Sequence, residues 1–216
     1  MNPGGTALGT IYAVQHPEKV ATYVGIGQVA NMPEGERLSY DYAMTQARAS
    51  GSEKAVEALC AIGPPPHTVD EMLISRRWVE RFGGSFHTDL STGKLIWAAL
   101  NTDEANLVDL ILFGRGNRFS LEHLWPEFSQ LDLTVHQTFE TAVFFLLGRY
   151  DWQVPALLAA SYFQAIEAPC KRLIWFEGSA HHPPFEEAEK FNRVMIEEVL
   201  RTVLGPGSSC QGQKSP

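Results

Sequence analysis

The sequence predicts an α/β fold in which a parallel sheet is interrupted by a long helical insertion. Apolar runs over 142–147 and 172–176 have the length and unbroken hydrophobicity of strands that are buried on both faces. A helical pattern precedes a third such run, from Ala21 to Gly27, and a helix that leads into a buried strand is half of a βαβ unit. Strand patterns stop over 32–132, where helical patterns replace them.

The first predicted element is a helix over 6–16. Small residues at its start allow the helix to lie close to a sheet, and Pro17 beyond its end is a stop signal. The run from Ala21 to Gly27 follows as the first strand. The chain therefore enters the sheet within its first thirty residues.

The insertion opens with three helices whose ends can be recognised. Pro33 begins the first helix, which ends at Gly51, and Ser52 caps the second. Thr68 and Glu71 form a capping box at the start of the third helix. Shorter helices are predicted over 94–100, 103–113 and 121–128, with a glycine-rich connector over 113–117.

The second half of the chain returns to the sheet pattern. The strand over 142–147 precedes a helix that begins at Pro155, and the strand over 172–176 precedes a long helix over 184–204. We therefore expect an α/β core formed by 1–31 and 133–204, a helical lid formed by 32–132, and a disordered polar tail over 205–216.

Composition limits the classes of partner. The 216 residues carry a net charge of −8, which is not the electrostatic footprint of a protein that binds nucleic acid or an anionic membrane. The apolar runs are all shorter than a membrane span. Three widely spaced cysteines and the absence of a leader pattern predict a cytoplasmic protein that acts on a small molecule or short peptide.

Two residues of catalytic type follow successive predicted strands. Asp151 comes just after the strand over 142–147, and His181 comes just after the strand over 172–176. Because the carboxyl ends of parallel strands meet at one edge, both side chains are expected at the same rim. A histidine there can act as general base, and a buried carboxylate can orient it. The adjacent pair His181 and His182 lacks metal-ligand spacing, so we expect neither metal nor cofactor.

The motifs around these residues resemble the proline iminopeptidase branch of the α/β-hydrolase superfamily. The segment 148–151 resembles that family's acid loop, 179–186 its histidine loop, and 23–28 the strand before its lid. The resemblance implies a partial α/β-hydrolase fold with Asp151 as triad acid, His181 as triad base, and His182 polar but not catalytic. It implies hydrolysis of small peptides, amides or esters, with a lid carboxylate holding the substrate's amino group.

The nucleophile position departs from this family. In the elbow motif G-x-S-x-G, with Gly5 as the closing glycine, the serine position falls on Pro3, which has no nucleophilic atom. The backbone N–H of Gly4 would be the oxyanion donor. The chain also lacks the family's earlier strands and the loop that supplies a second oxyanion donor. We therefore expect an N-terminally truncated hydrolase without turnover, because loss of a triad nucleophile costs on the order of 10⁶-fold. Neither Thr6 nor Cys60 is expected to replace the serine.

Two other functions stay open. The alternatives are a non-catalytic binding module that keeps the lid and pocket, and an incomplete gene product. The run from Ala21 to Gly27 would then leave an unpaired apolar strand edge, through which the chain could self-associate.

The remaining conspicuous residues have ordinary structural interpretations. We expect Cys60 to be buried or half-buried and Gly83-Gly84 to form a hinge or turn. The lid carboxylates Glu34, Glu36 and Asp41 are expected on a solvated face. The lid aromatics are expected in a core: Trp78, Trp97, Trp125 and Phe119.

Overall fold

The computed structural model describes residues 4–102 and 106–204, and its sheet has three parallel strands. These are β1 (Thr22–Ile26), β2 (Ala142–Gly148) and β3 (Lys171–Phe176), in the spatial order β1-β2-β3. The register places Tyr23 beside Val143 and Phe145 beside Leu173. All seven residues of β2 are buried, as expected for a central strand with helices on both faces.

Alternate residues of β2 enter two separate cores. Val143, Phe145 and Leu147 contact the core that lies under α1 (Gly4–Gln15) and α7 (Ala156–Ala165). The other side chains of β2 contact the core on the opposite face, together with Phe176, Val194 and Val199. The period-2 alternation of a strand therefore builds a helix–sheet–helix arrangement.

The C-terminal helix is broken into segments, whereas the sequence predicts one helix over 184–204. The segments are α8 (Pro183–Glu186), α9 (Ala188–Val194), a π-helical stretch (Met195–Leu200) and α10 (Arg201–Leu204). Between α8 and α9 the backbone of Glu187 leaves the helical region, at φ −128° and ψ 53°. Its carboxylate accepts hydrogen bonds from Gly178 N and Ser179 Oγ, so the break ties this segment to the loop after β3.

The described part of the insertion contains five helices. They are α2 (Met32–Ala49), α3 (Glu53–Ile62), α4 (Val69–Arg81), α5 (Thr92–Leu100) and α6 (Leu107–Phe128). The side chains of Ser52 and Thr68 cap α3 and α4, and the capping box between Thr68 and Glu71 is complete, which confirms the predicted helix starts. The first three of these helices share an apolar core that includes Ala43, Leu59 and Val79.

The two ends of the insertion lie side by side. Met32 N donates to Leu131 O at 2.8 Å, and Leu133 N donates to Ala30 O at 2.7 Å. A helical insertion of about a hundred residues thus leaves and rejoins the sheet at a single point. The division into core and lid as independent units stays a prediction.

Helix α6 differs most from the sequence prediction. The predicted connector over 113–117 is helical, and one helix of 22 residues replaces two short ones. Asn106 and Asp109 cap its start, and Arg118 pairs with Asp70 and Glu122 just beyond the glycines. These bonds offset the low helix propensity of Gly114 and Gly116.

Several expectations about burial are wrong. Trp78 and Trp125 are buried as predicted, but Trp97 is 69% exposed and Phe119 is 62% exposed. Cys60 lies on the surface, and among the described cysteines it is the free thiol. The free thiol of Cys60 does not test the predicted cytoplasmic location, which stays a prediction. Within the described ranges, no helix has both the length and the hydropathy needed to cross a membrane.

The two edges of the described sheet differ in chemistry. Strand β3 carries Lys171 and Arg172, and charged side chains are typical of protected edge strands. Strand β1 has no charged residue. The expected self-association through β1 is compatible with this edge but is not tested by it.

Candidate active site

A histidine and a carboxylate meet beyond the carboxyl ends of β2 and β3. The chain places Asp151 three residues after the end of β2 and His181 five residues after the end of β3. His181 Nδ1 lies 2.8 Å from Asp151 Oδ2, and both side chains are almost completely buried. The structure therefore brings together the two residues that the sequence singled out.

The acid loop fixes the orientation of the carboxylate. Asp151 Oδ1 accepts the backbone N–H of Val154 at 2.8 Å, while Oδ2 faces the imidazole. The Asp151 carbonyl accepts Ala156 N at 3.1 Å, which ties the loop to the start of α7. With both carboxylate oxygens engaged, the side chain has little freedom to rotate.

The hydrogen bond to Asp151 also decides which histidine nitrogen can act as a base. A carboxylate only accepts, so Nδ1 of His181 carries the proton when the ring is neutral, and Nε2 carries the lone pair. Nε2 is buried and has no hydrogen-bond partner in the described part of the chain. The arrangement presents a free imidazole lone pair with a buried carboxylate behind the ring, as general-base catalysis requires.

Gly27 forms the floor beneath the histidine ring. Its φ is +57°, a conformation that favours glycine, and an added Cβ would lie 2.5 Å from His181 Cε1 and 2.7 Å from Nδ1. Gly148 is similarly constrained, since a Cβ there would lie 1.8 Å from Ala180 O. In the sequence, Gly27 stands out only as part of a strand motif, so its contact with His181 could not be recognised there.

A segment of the insertion covers both loops; we call residues 84–88 the cover segment. Gly84 O accepts the backbone N–H groups of Trp152 and Gln153, at 3.0 and 3.2 Å. Ser85 O accepts His181 N at 3.0 Å. The predicted turn at Gly83-Gly84 thus positions the backbone of the candidate site.

Ring contacts and one carboxylate complete this cover. Phe86 stacks on His182 at 4.2 Å between ring centroids, and His87 stacks on Tyr150 at 3.5 Å. Glu186 joins the two sides, because its Oε1 accepts His87 N at 2.6 Å while its Oε2 accepts Ala180 N at 2.9 Å. The contacts of Phe86 with His182 and of His87 with Glu186 join residues nearly a hundred positions apart, which is why the sequence alone did not reveal them.

His182 has a different environment from His181. Burial, and then the adjacent His181, lower the pKa of His182 to about 3, so its ring is neutral at pH 7. The two rings meet edge to face, with centroids 5.1 Å apart. Its Nδ1 has no hydrogen-bond partner within the described ranges. The packing against Phe86 favours a structural role for His182.

The residues of the elbow motif are only partly described. Pro3, at the nucleophile position, lies outside the described residues, and Gly4 is the first residue of α1. A buried polar network anchors this helix to β1. Tyr23 Oη donates to Gln28 Oε1 at 2.6 Å, Gln28 Nε2 donates to Thr10 Oγ1 at 3.1 Å, and burial raises the pKa of Tyr23 to about 12.

A cavity of about 500 Å³ lies beside α2, next to the start of the insertion. Glu36 contributes to its wall and forms an ion pair with Arg76, with the carboxylate 95% buried. The expected solvated face is therefore wrong for Glu36, whereas Glu34 and Asp41 are exposed and pair with Arg37. The cavity is also lined by His67, Trp125 and Gln130.

His67 presents an acceptor at this cavity. Its Nε2 bonds to the carbonyl of Gly63 at 2.9 Å and must carry the proton, so Nδ1 has the lone pair. That nitrogen is buried without a partner in the part of the chain that the structure describes. In the same part of the chain, no group of three or more His, Cys, Asp or Glu side chains could hold a metal ion.

Comparison with known proteins identifies the type of fold. A probable aminopeptidase, YbaC of Bacillus subtilis (strain 168), is 31% identical over 194 residues, which are 87% of this chain and 61% of the relative. The esterase EaEST from Exiguobacterium antarcticum has a TM-score of 0.54 at 16% identity, covering 90% of this chain and 63% of that one. The chain has a partial α/β-hydrolase fold. No family model matches it.

A second solved structure supports the same fold. An α/β-fold hydrolase from Bacillus anthracis str. Sterne has a TM-score of 0.51 at 22% identity, covering 88% of this chain and 62% of that one. The chain thus spans about three fifths of the length of the relatives it matches. Its sheet accounts for part of the fold that those relatives share.

Proposed function

We propose that this chain carries the acid–base half of a serine-hydrolase site of aminopeptidase type. His181 Nε2 would accept the proton of an attacking hydroxyl and later return it to the leaving amine. Asp151 would hold the ring in the required tautomer and stabilise the imidazolium that forms. The observation that carries the proposal is the buried 2.8 Å contact between His181 Nδ1 and Asp151 Oδ2, with Nε2 unpartnered among the described residues.

The proposal includes the absence of a nucleophile. Proline at position 3 offers no hydroxyl or thiol, so the proton acceptor has no donor to activate at the elbow position. The chain as it stands is therefore expected to bind substrate without turning it over.

The proposed substrates are short peptides, amides or esters with a free amino terminus. The similarity to a protein named a probable aminopeptidase supports this class. The buried carboxylate of Glu36 supports it further, because a carboxylate near the site could pair with a substrate ammonium group. Arg76 already forms an ion pair with Glu36. The substrate ammonium group would therefore have to bind the carboxylate beside Arg76 or displace it.

Hydrolysis assays of three proteins test the proposal. The unmodified chain, His181→Ala and His16→Ala are each incubated with a prolyl arylamide and a short p-nitrophenyl ester. His16 is the matched control, because it is exposed and follows α1, at the opposite end of β1 from Gly27. We expect background rates from all three. Turnover that His181→Ala abolishes and His16→Ala retains would contradict the missing nucleophile, and turnover independent of His181 would contradict the site itself.

A second candidate function is ligand binding without chemistry. The cavity of about 500 Å³ favours it, because its size suits a small ligand and its wall includes His67, whose buried Nδ1 is unpaired among the described residues. Calorimetric titration with a prolyl dipeptide, compared between the unmodified chain and His67→Phe, tests this function. Binding that weakens about tenfold in His67→Phe would support it, since one lost hydrogen bond is worth ~1–1.5 kcal/mol. Equal affinities would contradict it.

A further inference from the structure

Two consecutive carboxylates hold the loop that carries the candidate base. Glu187 Oε2 accepts Gly178 N at 3.0 Å and Ser179 Oγ at 2.7 Å. Glu186 Oε2 accepts Ala180 N at 2.9 Å. Each of the three residues before the histidine therefore donates a hydrogen bond to one of these two side chains, and a charged acceptor holds such donors more firmly than a neutral one.

The two carboxylates use their oxygens differently. Both hydrogen bonds of Glu187 go to Oε2, and its Oε1 faces Lys190 Nζ at 4.0 Å. Glu186 has Oε2 turned to the loop, while its Oε1 accepts His87 N at 2.6 Å, Thr88 N at 3.0 Å and Thr88 Oγ1 at 3.3 Å. Glu186 is therefore the member of the pair that joins the loop to the cover segment.

The peptide units around Ala180 are where this joint meets the candidate base. Ala180 is completely buried, and a Cβ on Gly148 would lie 1.8 Å from its carbonyl oxygen. That carbonyl is thus packed against the end of β2, while the N–H of the same residue is bound to Glu186. The next N–H, that of His181, donates to Ser85 O at 3.0 Å. The cover segment therefore holds the backbone N–H groups of both Ala180 and His181, one of them through Glu186.

We propose that Glu186 is a positioning residue, which makes the placement of His181 Nε2 depend on the cover segment. The inference rests on the proposed function, because it concerns the group that would act as general base. The donors to Glu186 are backbone N–H groups and one hydroxyl, so it acts through the backbone of Ala180. An acid–base site assembled in this way is complete only while the insertion contacts the loop, so an event that moves the cover segment would also move the base.

Replacing each carboxylate by its amide separates the two arrangements. In Glu187→Gln, the carbonyl oxygen that remains can accept both bonds that Oε2 accepts now, so the loop should keep its position. In Glu186→Gln, one oxygen becomes an NH₂ group that faces an N–H donor, so one side of the joint loses its acceptor. Because Oε1 serves three donors and Oε2 serves one, we expect Ala180 N to be released.

NMR spectra of the full, nitrogen-labelled chain at one neutral pH measure the effect on the base. The His181 Nδ1 proton and Nε2 nitrogen signals should shift or broaden in Glu186→Gln and stay unchanged in Glu187→Gln. Amide exchange at Ala180 should accelerate about tenfold in Glu186→Gln, as expected for one lost hydrogen bond. Glu189→Gln, which replaces an exposed residue of α9, controls for the loss of one negative charge. Circular dichroism checks that every variant is folded.

Two results would overturn the proposal: unchanged His181 and Ala180 signals in Glu186→Gln, or equal changes in Glu187→Gln, which would trace the effect to charge. If Glu186→Gln does not fold, Thr88→Val decides the matter, because it removes one exposed donor to Glu186 Oε1. It should shift the same His181 signals by a smaller amount, and unchanged signals would again overturn the proposal. A missing Nδ1 proton on His181 in the unmodified chain would instead contradict the acid–base site itself.

Discussion

Replacing Gly27 by alanine tests how tightly the strand end fits the histidine. The backbone at Gly27 is left-handed, with φ +57°, and this conformation costs a residue with a Cβ ~1–2 kcal/mol. The new methyl group would also lie 2.5 Å from His181 Cε1, so the ring or the strand end must move. Overpacking of this kind adds ~1–3 kcal/mol. The expected total loss is about 2–5 kcal/mol of unfolding free energy.

Gly51→Ala is the matched control for this variant. Gly51 also has a left-handed backbone, with φ +65°, but a Cβ there would have nothing within 4 Å. Urea denaturation should therefore show only the backbone cost, ~1–2 kcal/mol, for Gly51→Ala. The NMR signal of the His181 Nδ1 proton should shift or broaden only in Gly27→Ala. Equal destabilisation of the two variants, with an unchanged His181 signal, would refute the contact.

Three further variants probe the groups around the site. Glu186→Ala removes the acceptor of His87 N and Ala180 N and should cost ~1–3 kcal/mol in urea denaturation, with faster amide exchange in the cover segment; unchanged exchange would contradict its bridging role. Burial lowers the pKa of His182 from 6.5 to about 3 in the folded state. As the pH falls from 6.5 toward 3, the unfolded chain takes up a proton on this ring while the folded chain does not, so the free energy of unfolding should fall. His182→Phe should reduce that loss of stability in acid. An identical dependence of stability on pH in both proteins would contradict the lowered pKa of His182. The pKa of Tyr23 is raised by burial to about 12 from 10.0, so the stability it contributes is complete below pH 10 and lost toward pH 12. Tyr23→Phe should lose less stability than the unmodified chain between pH 10 and 12, and parallel losses would contradict burial of the hydroxyl.

The strands and the helix starts could be predicted because their signals are local. Continuous apolar runs marked β2 and β3, and the capping box of Thr68 with Glu71 marked α4 within four residues. The meeting of Asp151 with His181 also followed from a general rule, since parallel strands end at one edge of a sheet.

Features that depend on distant residues could not be predicted in this way. Glu36 looked like a surface carboxylate, but it is buried because Arg76, forty positions later, pairs with it. The glycines of α6 resembled a connector, and nothing local shows that Arg118 would fasten the helix to Asp70. The cover segment likewise depends on Glu186, which lies about a hundred residues away.

The exposed aromatic residues illustrate a related limit. An apolar side chain indicates that burial is favourable but not which surface provides it. Trp97 and Phe119 were therefore expected in the core of the insertion, although the described structure leaves them on its surface.

The most direct test of the proposed acid–base half is to place a hydroxyl at position 3. Pro3→Ser is incubated with a p-nitrophenyl ester, and acyl transfer to residue 3 is followed by p-nitrophenol release and by mass spectrometry of the N-terminal peptide. In this step the serine oxygen forms the acyl bond while its proton passes to His181, the ester bond to the p-nitrophenyl oxygen breaks, and His181 returns the proton to that oxygen as p-nitrophenol leaves. The account predicts acylation of Pro3→Ser that is lost in Pro3→Ser/His181→Ala. Acylation at equal rates in both variants, or none in either, would contradict the assignment of His181 and Asp151 as the acid–base half of a hydrolase site.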